Sequence, residues 1–348
     1  MNTRIAQRRT SIFRGRIFWT ALLAAVWIGC AHAQTPSVEA RPWNTLLIGW
    51  DGVSRSRLKE LLAQGRLPNL QALVAGGGLV DIEVTMGATY TKPGWVEILT
   101  GYRAGRLGTT DNMIYRPIPE GYTIFERLKR RFGKDDIATA FISGKRHNVG
   151  DRGPHEICIN CTSNSWWDKN RCIAAGQPRR LVHRDGEPFH KTKEAIDVFA
   201  IGLGPGDKVA AAAAAFLKDR QRRRFFGFFH FNEPDPQGHG YGENSPEYLK
   251  GIEDDDGHLG AIIRDLRALG LYEKTTIWVV SDHGFDRDTP NHFHAPHIFL
   301  ATNSKRRLRN GDRKDITPTI LDDYGVILPV QPPLDGKSLF LGRKREGM

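Results

Sequence analysis

Five short apolar runs, each closed by polar or turn-forming residues, recur along this 348-residue chain. They are "TLLIGW" (45–50), "IATAFIS" (137–143), "FFGFFHF" (225–231), "TTIWVVS" (275–281) and "HIFLAT" (297–302). Runs of this length that stay apolar throughout read as buried strands. Segments with helical character lie between them. "SRSRLKELLAQG" (54–65) has Ser54 as a cap candidate and Gly65 as a stop. "GYTIFERLKRRFG", "DKVAAAAAAFLKDRQ" (207–221) and "PEYLKGIEDDDGHLGAIIRDLRALG" follow the same logic, and a further helix is expected over 93–100. The alternation predicts an α/β fold, with a mostly parallel central sheet flanked by helices on both faces.

Regularity lapses over 145–200, a stretch rich in Cys, Trp, Asn and Gly. We read it as an irregular insertion or cap near the site, inside one domain spanning 34–348. The first 33 residues carry a different pattern. Arg4, Arg8, Arg9, Arg14 and Arg16 precede the apolar "IFWTALLAAVWIG" (17–29) and the small-residue site "AHA" (31–33). That is the pattern of a secretory signal peptide, and the apolar stretch is short of the roughly 20 residues of a membrane span. Trp27 makes "WIGC" a poor lipidation site at Cys30, and Arg8-Arg9 is compatible with twin-arginine export. The expected location is exported, periplasmic or extracellular, with no stable membrane span after cleavage.

The whole chain has a net charge of +11, and residues 1–33 hold five arginines and no acids, which leaves +6 on the remainder. That balance suits anionic substrates. No basic run is interleaved with aromatics, so no specific nucleic-acid binding is expected. "CINC" (158–161) lacks the second pair that a four-thiolate zinc site needs. In an exported protein a disulfide to Cys172 is favoured instead, and the odd count leaves one of Cys158, Cys161 and Cys172 over unless Cys30 is retained.

Acidic and histidine clusters sit where the predicted strands end. Asp51 follows the first, and Asp235 and His239 follow the third in "DPQGH". Asp282 and His283 follow the fourth in "SDHG", and His292, His294 and His297 crowd into "NHFHAPH" before the fifth. Open α/β sheets gather ligands at the carboxyl ends of their strands. Buried carboxylates are rare unless paired or coordinated. Mixed Asp and His donors fit zinc, and two ions would absorb six or seven such ligands. The expected cofactor is therefore a pair of divalent metal ions, Zn2+ by donor type.

In this combination and order the motifs resemble the alkaline phosphatase superfamily, in its type I phosphodiesterase / nucleotide pyrophosphatase branch. "LLIGWDG" resembles the opening strand and first metal aspartate, and "TYTKPGWVEILTG" (89–101) the nucleophile segment. "EPDPQGHGYG", "SDHGF", the "DN" at 111–112, "DITPTILDDYGV" and "LDGKSL" resemble later elements of the branch. The resemblance runs from about residue 44 to 341 and implies the following roles. Thr91, not Thr89, is the nucleophile, and Asn112 contacts phosphate. Asp51, Thr91, Asp282 and His283 surround one metal. Asp235, His239 and a downstream histidine hold the other; His292 is favoured, His294 stays open, and His297 is structural. Asn112 and the first N–H groups of the helix are expected to bind phosphoryl oxygens. Lys92 is expected to be exposed on a solvated loop. Gly94-Trp95 departs from the polar pair common in the branch, so nucleoside contacts do not carry over.

The implied activity is an exported phosphohydrolase cleaving phosphodiester or pyrophosphate bonds of a small phosphate ester through a phospho-threonine intermediate. A phosphate monoesterase or phosphonate hydrolase on the same core is the alternative. A non-catalytic exported anion binder is the reading from another class.

Overall fold

The computed structural model describes residues 44–342, except 86, 148, 159–180 and 221–222. All five apolar runs form strands. In chain order the elements begin with β1 (Asn44–Asp51), α1 (Arg55–Ala63), α2 (Pro68–Ala75), β2 (Gly78–Glu83), α3 (Thr91–Thr100) and α4 (Ile124–Phe132). Then come β3 (Ile137–Ser143), β4 (His155–Cys158), β5 (Leu181–Arg184), β6 (Val198–Ile201), α5 (Gly206–Arg220) and β7 (Arg224–Pro234). The chain continues through α6 (Asp235–Tyr241), α7 (Pro246–Ala268), β8 (Thr275–Val280), β9 (His297–Thr302), β10 (Gly311–Asp312) and α8 (Ile316–Asp323). The chain divides into two units, Met1–Ala40 and Arg41–Met348. The first unit, with the expected signal peptide, lies outside the described residues. So do Cys161 and Cys172 and the side chain of Cys158.

Among the described residues, eight strands form the main sheet in the order β10-β2-β9-β8-β1-β7-β3-β6. β8, β1, β7, β3 and β6 are mutually parallel. β9 runs antiparallel to both β8 and β2. β1, β3 and β8 are buried at every residue, because helices cover both faces. Leu46, Ile48 and Trp50 of β1 join a core layer with α1, α2, α5 and α7, while Leu47 joins the opposite layer with α3, α4 and α8. Phe225 and Phe229 of β7 face the first layer, and Phe226 and Phe228 the second. Each such side chain contributes about 1.5–3 kcal/mol when fully buried. The fold is the α/β class expected.

Local signals behave unevenly. α4 carries a full capping box, Thr123 with Glu126, and Lys129, Arg130 and Arg131 in its last turn. Ser54 is the N-cap residue of α1, but its hydroxyl does not cap the helix; it accepts the Phe285 N–H at 3.0 Å. The stretch expected as an irregular insertion holds a two-stranded ribbon, β4 with β5. Val198–Ile201, at its end, forms the edge strand β6 of the main sheet.

Two features position the site. The parallel block places the ends of β1, β7 and β8 along one edge. Because β9 is antiparallel, its beginning lies at that same edge, and the loop before it returns there.

Candidate active site

Asp51 ends β1 and is fully buried. Asp282 and His283 follow β8, and they too are fully buried. His283 Nε2 lies 3.6 Å from Asp51 Oδ1 and 3.5 Å from Asp282 Oδ2. Thr91 is the first residue of α3, with Tyr90 at the N-cap, and its Oγ1 is 3.3 Å from His283 Nε2. Asp282 Oδ1 accepts the Gly52 N–H at 3.2 Å, which ties the ends of β1 and β8 together. Gly94 is required beside it: a Cβ there would sit 2.7 Å from Asp282 Cβ. Trp95 is buried, in edge contact with the His230 ring at 4.9 Å. The Gly94-Trp95 pair is therefore a packing device.

The second group starts α6. Asp235 Oδ1 is 3.4 Å from His239 Nε2, and His239 Nε2 is 3.2 Å from His292 Nε2. The His292 and His283 rings stack with centroids 4.0 Å apart. Each of the three histidines donates Nδ1–H to a main-chain carbonyl. The acceptors are Gly284 O for His283 at 2.9 Å, Pro290 O for His239 at 2.8 Å and Thr89 O for His292 at 2.6 Å. A carbonyl only accepts, so the proton is on Nδ1 and the Nε2 lone pairs turn into the site. Thr89 grips His292 a second time, through a hydroxyl bond to the His292 carbonyl. Burial, then the His292 charge, holds His283 well below the ordinary imidazole range; burial lowers His292 as well. His294 is exposed and its Nδ1 is 4.0 Å from Asp286. His297 pairs with Glu83 at 2.6 Å.

Several residues at the site had no place in the sequence reading. Lys145 Nζ lies 2.8 Å from Asp51 Oδ1 and 2.6 Å from Asp235 Oδ2, bridging the two groups. Burial would lower this ammonium, but Asp235, Asp51 and Asp282 hold it above its ordinary value. Burial would likewise raise Asp51, but Lys145 and His230 hold it well below the carboxylate range. His230 Nε2 donates to Asp51 Oδ2 at 2.9 Å. Arg313, fully buried and paired with Glu97 at 2.9 Å, donates to the Asp282 carbonyl at 2.8 Å and the Ala88 carbonyl at 3.1 Å. The position of Lys145, just past a predicted strand, was the available signal. Nothing local marks Arg313.

Two expectations are corrected. Lys92 is not on a solvated loop: it is 1 % exposed, and Nζ donates to His147 O at 2.7 Å and lies 3.6 Å from Glu187. The second residue of α3 points inward, where burial pushes its amine down to about 8 against the pull of Glu187. The helix starts at Thr91, two residues before the expected 93, and the Lys92 N–H in its first turn is not free for an anion. It donates to Asn112 Oδ1 at 2.9 Å, and this leaves the Asn112 NH2 group as the donor. Asn112 lines a cavity of about 640 Å³ with Tyr90, Asp111, Met113, Ile114, Val182 and Arg184.

Two of the buried carboxylate oxygens, Asp235 Oδ1 and Asp282 Oδ2, have no hydrogen-bond donor among the described residues. Burial and the charge of Asp51 raise Asp282 well above the usual carboxylate range. Three buried carboxylates facing one ammonium are short of positive charge. Donor atoms of Asp51, Asp282 and His283 come within 4.8 Å of one another, as do those of Asp235, His283 and His292. Orphan oxygens and inward Nε2 lone pairs fit divalent cations.

A set of Asp and His donors on the carboxyl edge of this sheet defines a hydrolase-like α/β class, and solved structures bear out the fold. A protein of the alkaline phosphatase superfamily from Vibrio parahaemolyticus is similar, with a TM-score of 0.52 and 16% identity, over 88% of this chain and 71% of that one. The lipoteichoic acid synthase LtaP of Listeria monocytogenes gives 0.52 and 12% identity, over 86% and 76%. The chain belongs to the type I phosphodiesterase / nucleotide pyrophosphatase family, whose model matches residues 45–319. Bis(5'-adenosyl)-triphosphatase ENPP4 of Bos taurus is 24% identical over 271 residues, 76% of this chain and 51% of that protein. The chain thus spans about half the length of the curated relatives it matches. Among the described residues no helix is long and apolar enough to cross a membrane.

Proposed function

We propose that this protein is an exported phosphohydrolase that cleaves phosphodiester or pyrophosphate bonds with Thr91 as its nucleophile. One observation carries the reading: Thr91 starts α3 and its hydroxyl lies 3.3 Å from Nε2 of His283, the histidine common to both donor groups. Family membership and a relative named as a bis(5'-adenosyl)-triphosphatase support the bond type. Two divalent ions, zinc by donor set, would be held by Asp51, Asp282, His283 and Thr91 and by Asp235, His239 and His292; when bound, they lower a hydroxyl pKa and neutralise phosphoryl charge.

The residues divide the remaining work. His283, a proposed ligand of the same ion as Thr91, holds its ring 3.3 Å from the Thr91 hydroxyl and fixes where that hydroxyl lies. Thr91 gives its hydroxyl proton to water as Oγ1 bonds to phosphorus, the bond to the leaving oxygen breaks, and that oxygen takes a proton from water. The Asn112 NH2 group, its oxygen anchored on the Lys92 N–H, donates to a phosphoryl oxygen. Lys145 adds a fixed positive charge. Water then cleaves the phospho-threonine, restoring the hydroxyl and releasing phosphate or its monoester. Export rests on the pattern of residues 1–33.

Thr91→Ala should abolish turnover of a chromogenic phosphodiester while zinc content and the far-ultraviolet spectrum stay as in wild type. Retained activity would refute the nucleophile. A panel of diesters, monoesters and phosphonates separates this reading from a monoesterase or phosphonate hydrolase. No turnover on any of them would leave the anion binder.

A further inference from the structure

Outside the Asp and His ligand set, a buried carboxylate on α7 has no hydrogen-bond donor among the described residues. Asp255, on α7, is 0 % exposed, and both of its oxygens lack a donor among the described residues. An ionised carboxylate in that state is strongly unfavourable without a compensating group.

The flanking contacts of α7 locate what Asp255 faces. One turn before it, a Cβ on Gly251 would lie 2.7 Å from Pro234 Cβ and 3.7 Å from Gln237 Cδ. One turn after it, His258 stacks on Phe231 with centroids 5.1 Å apart. His258 also closes on Gly206, whose N–H donates to Glu233 Oε1 at 3.4 Å. Asp255 therefore sits between contacts to Phe231 and to Pro234, opposite Glu233 at the end of β7. Glu233 Oε2 and Gln237 Oε1 are also buried without a donor. Burial, then the charge of Glu233, pushes the Asp255 carboxyl well above its usual range.

We propose that Asp255, Glu233 and Gln237 form a site for a hard divalent cation, calcium, separate from the Asp and His cluster. The donors are two carboxylates and an amide carbonyl, all oxygen, which is the calcium and not the zinc preference. Glu233 and Gln237 are only partly buried, which gives the ion an entry and room for water ligands. They also stand two residues either side of Asp235, so a bound ion braces the turn carrying Asp235 and His239.

The test adds calcium chloride to the zinc-loaded, full-length protein, read by equilibrium dialysis and thermal melting. One calcium per chain and a higher melting temperature are expected for wild type and for Asp282→Asn. Both should be lost in Asp255→Asn. The proposal is overturned by a wild type that binds no calcium, by an Asp255→Asn protein that binds as much as wild type, or by an Asp282→Asn protein that binds none. Should Asp255→Asn fail to fold, Glu233→Gln must show the same loss. The outcome is independent of the hydrolase reading, which Thr91→Ala tests.

Discussion

Lys145 is the ammonium on which Asp51 and Asp235 converge. As a cation among the proposed ligands it competes with metal for the same oxygens, and it supplies charge to the reaction. Lys145→Met should therefore bind zinc more tightly in a chelator competition, yet lose roughly 10²–10³ in kcat, the range for removing one stabilising donor. An unchanged zinc affinity and kcat would remove both roles. The residue follows "IATAFIS", so its place at a strand end was legible in the sequence. Its partnership was not, because the same rule was applied only to acids and histidines. Lys92 teaches the converse. A lysine just before the proline expected to start a helix looks solvated, and only the packing of Tyr115 and Glu187 around it reveals otherwise. Asp51, Asp235, Asp282 and His283 were legible because carboxylates and imidazoles rarely close apolar strands without a reason. The sequence already favoured His292 over His294; in the structure the His292 ring is held by the Thr89 carbonyl and His294 is exposed.

At the scale of elements, the end of α8 offers a test of burial. Asp323 is its last residue, 2 % exposed, with Arg306 Nη1 at 3.7 Å and Oδ2 lacking a donor among the described residues. It also lies at the negative end of the helix dipole. Burial pushes its carboxyl from 3.8 up to about 6. A folded pKa above the unfolded one means the folded chain holds the proton more tightly. Stability is then full below pH 3.8 and falls as pH rises through about 6. The loss is of order 3 kcal/mol, at about 1.36 kcal/mol per pKa unit. Asp323→Asn should remove that fall. Urea unfolding should show a gain of up to about 3 kcal/mol at neutral pH and none in acid. Equal gains at both values would refute burial as the cause. Element types followed the same physics. β1, β3, β7 and β8 were legible because both faces are covered, so their runs are apolar throughout. The edge strands β6 and β10, and β2 beside β10, are short or only partly buried and left no such run. The reversed direction of β9 has no signature within "HIFLAT"; it depends on its partners.

Across the whole molecule, residues 241 positions apart, Asp51 and His292, must meet for the site to exist. The central position of β1, paired with β7 on one side and β8 on the other, makes this possible. The antiparallel course of β9 then divides the site by origin. Asp51, Asp282 and His283 belong to the sheet frame and are wholly enclosed. His292 comes from a returning loop, and His239, whose side chain is 47% exposed, stands at the rim. If each proposed set holds one ion, the two differ in how easily they let go. A chromogenic chelator should draw zinc in two phases, one ion per chain fast and one slow, and His292→Ala should lack the fast phase. Release of both ions in a single phase would contradict the division. The enzyme would then have a resident ion that stays with the fold and an exchangeable one that follows supply, so activity could rise and fall with ambient zinc without the protein ever coming apart.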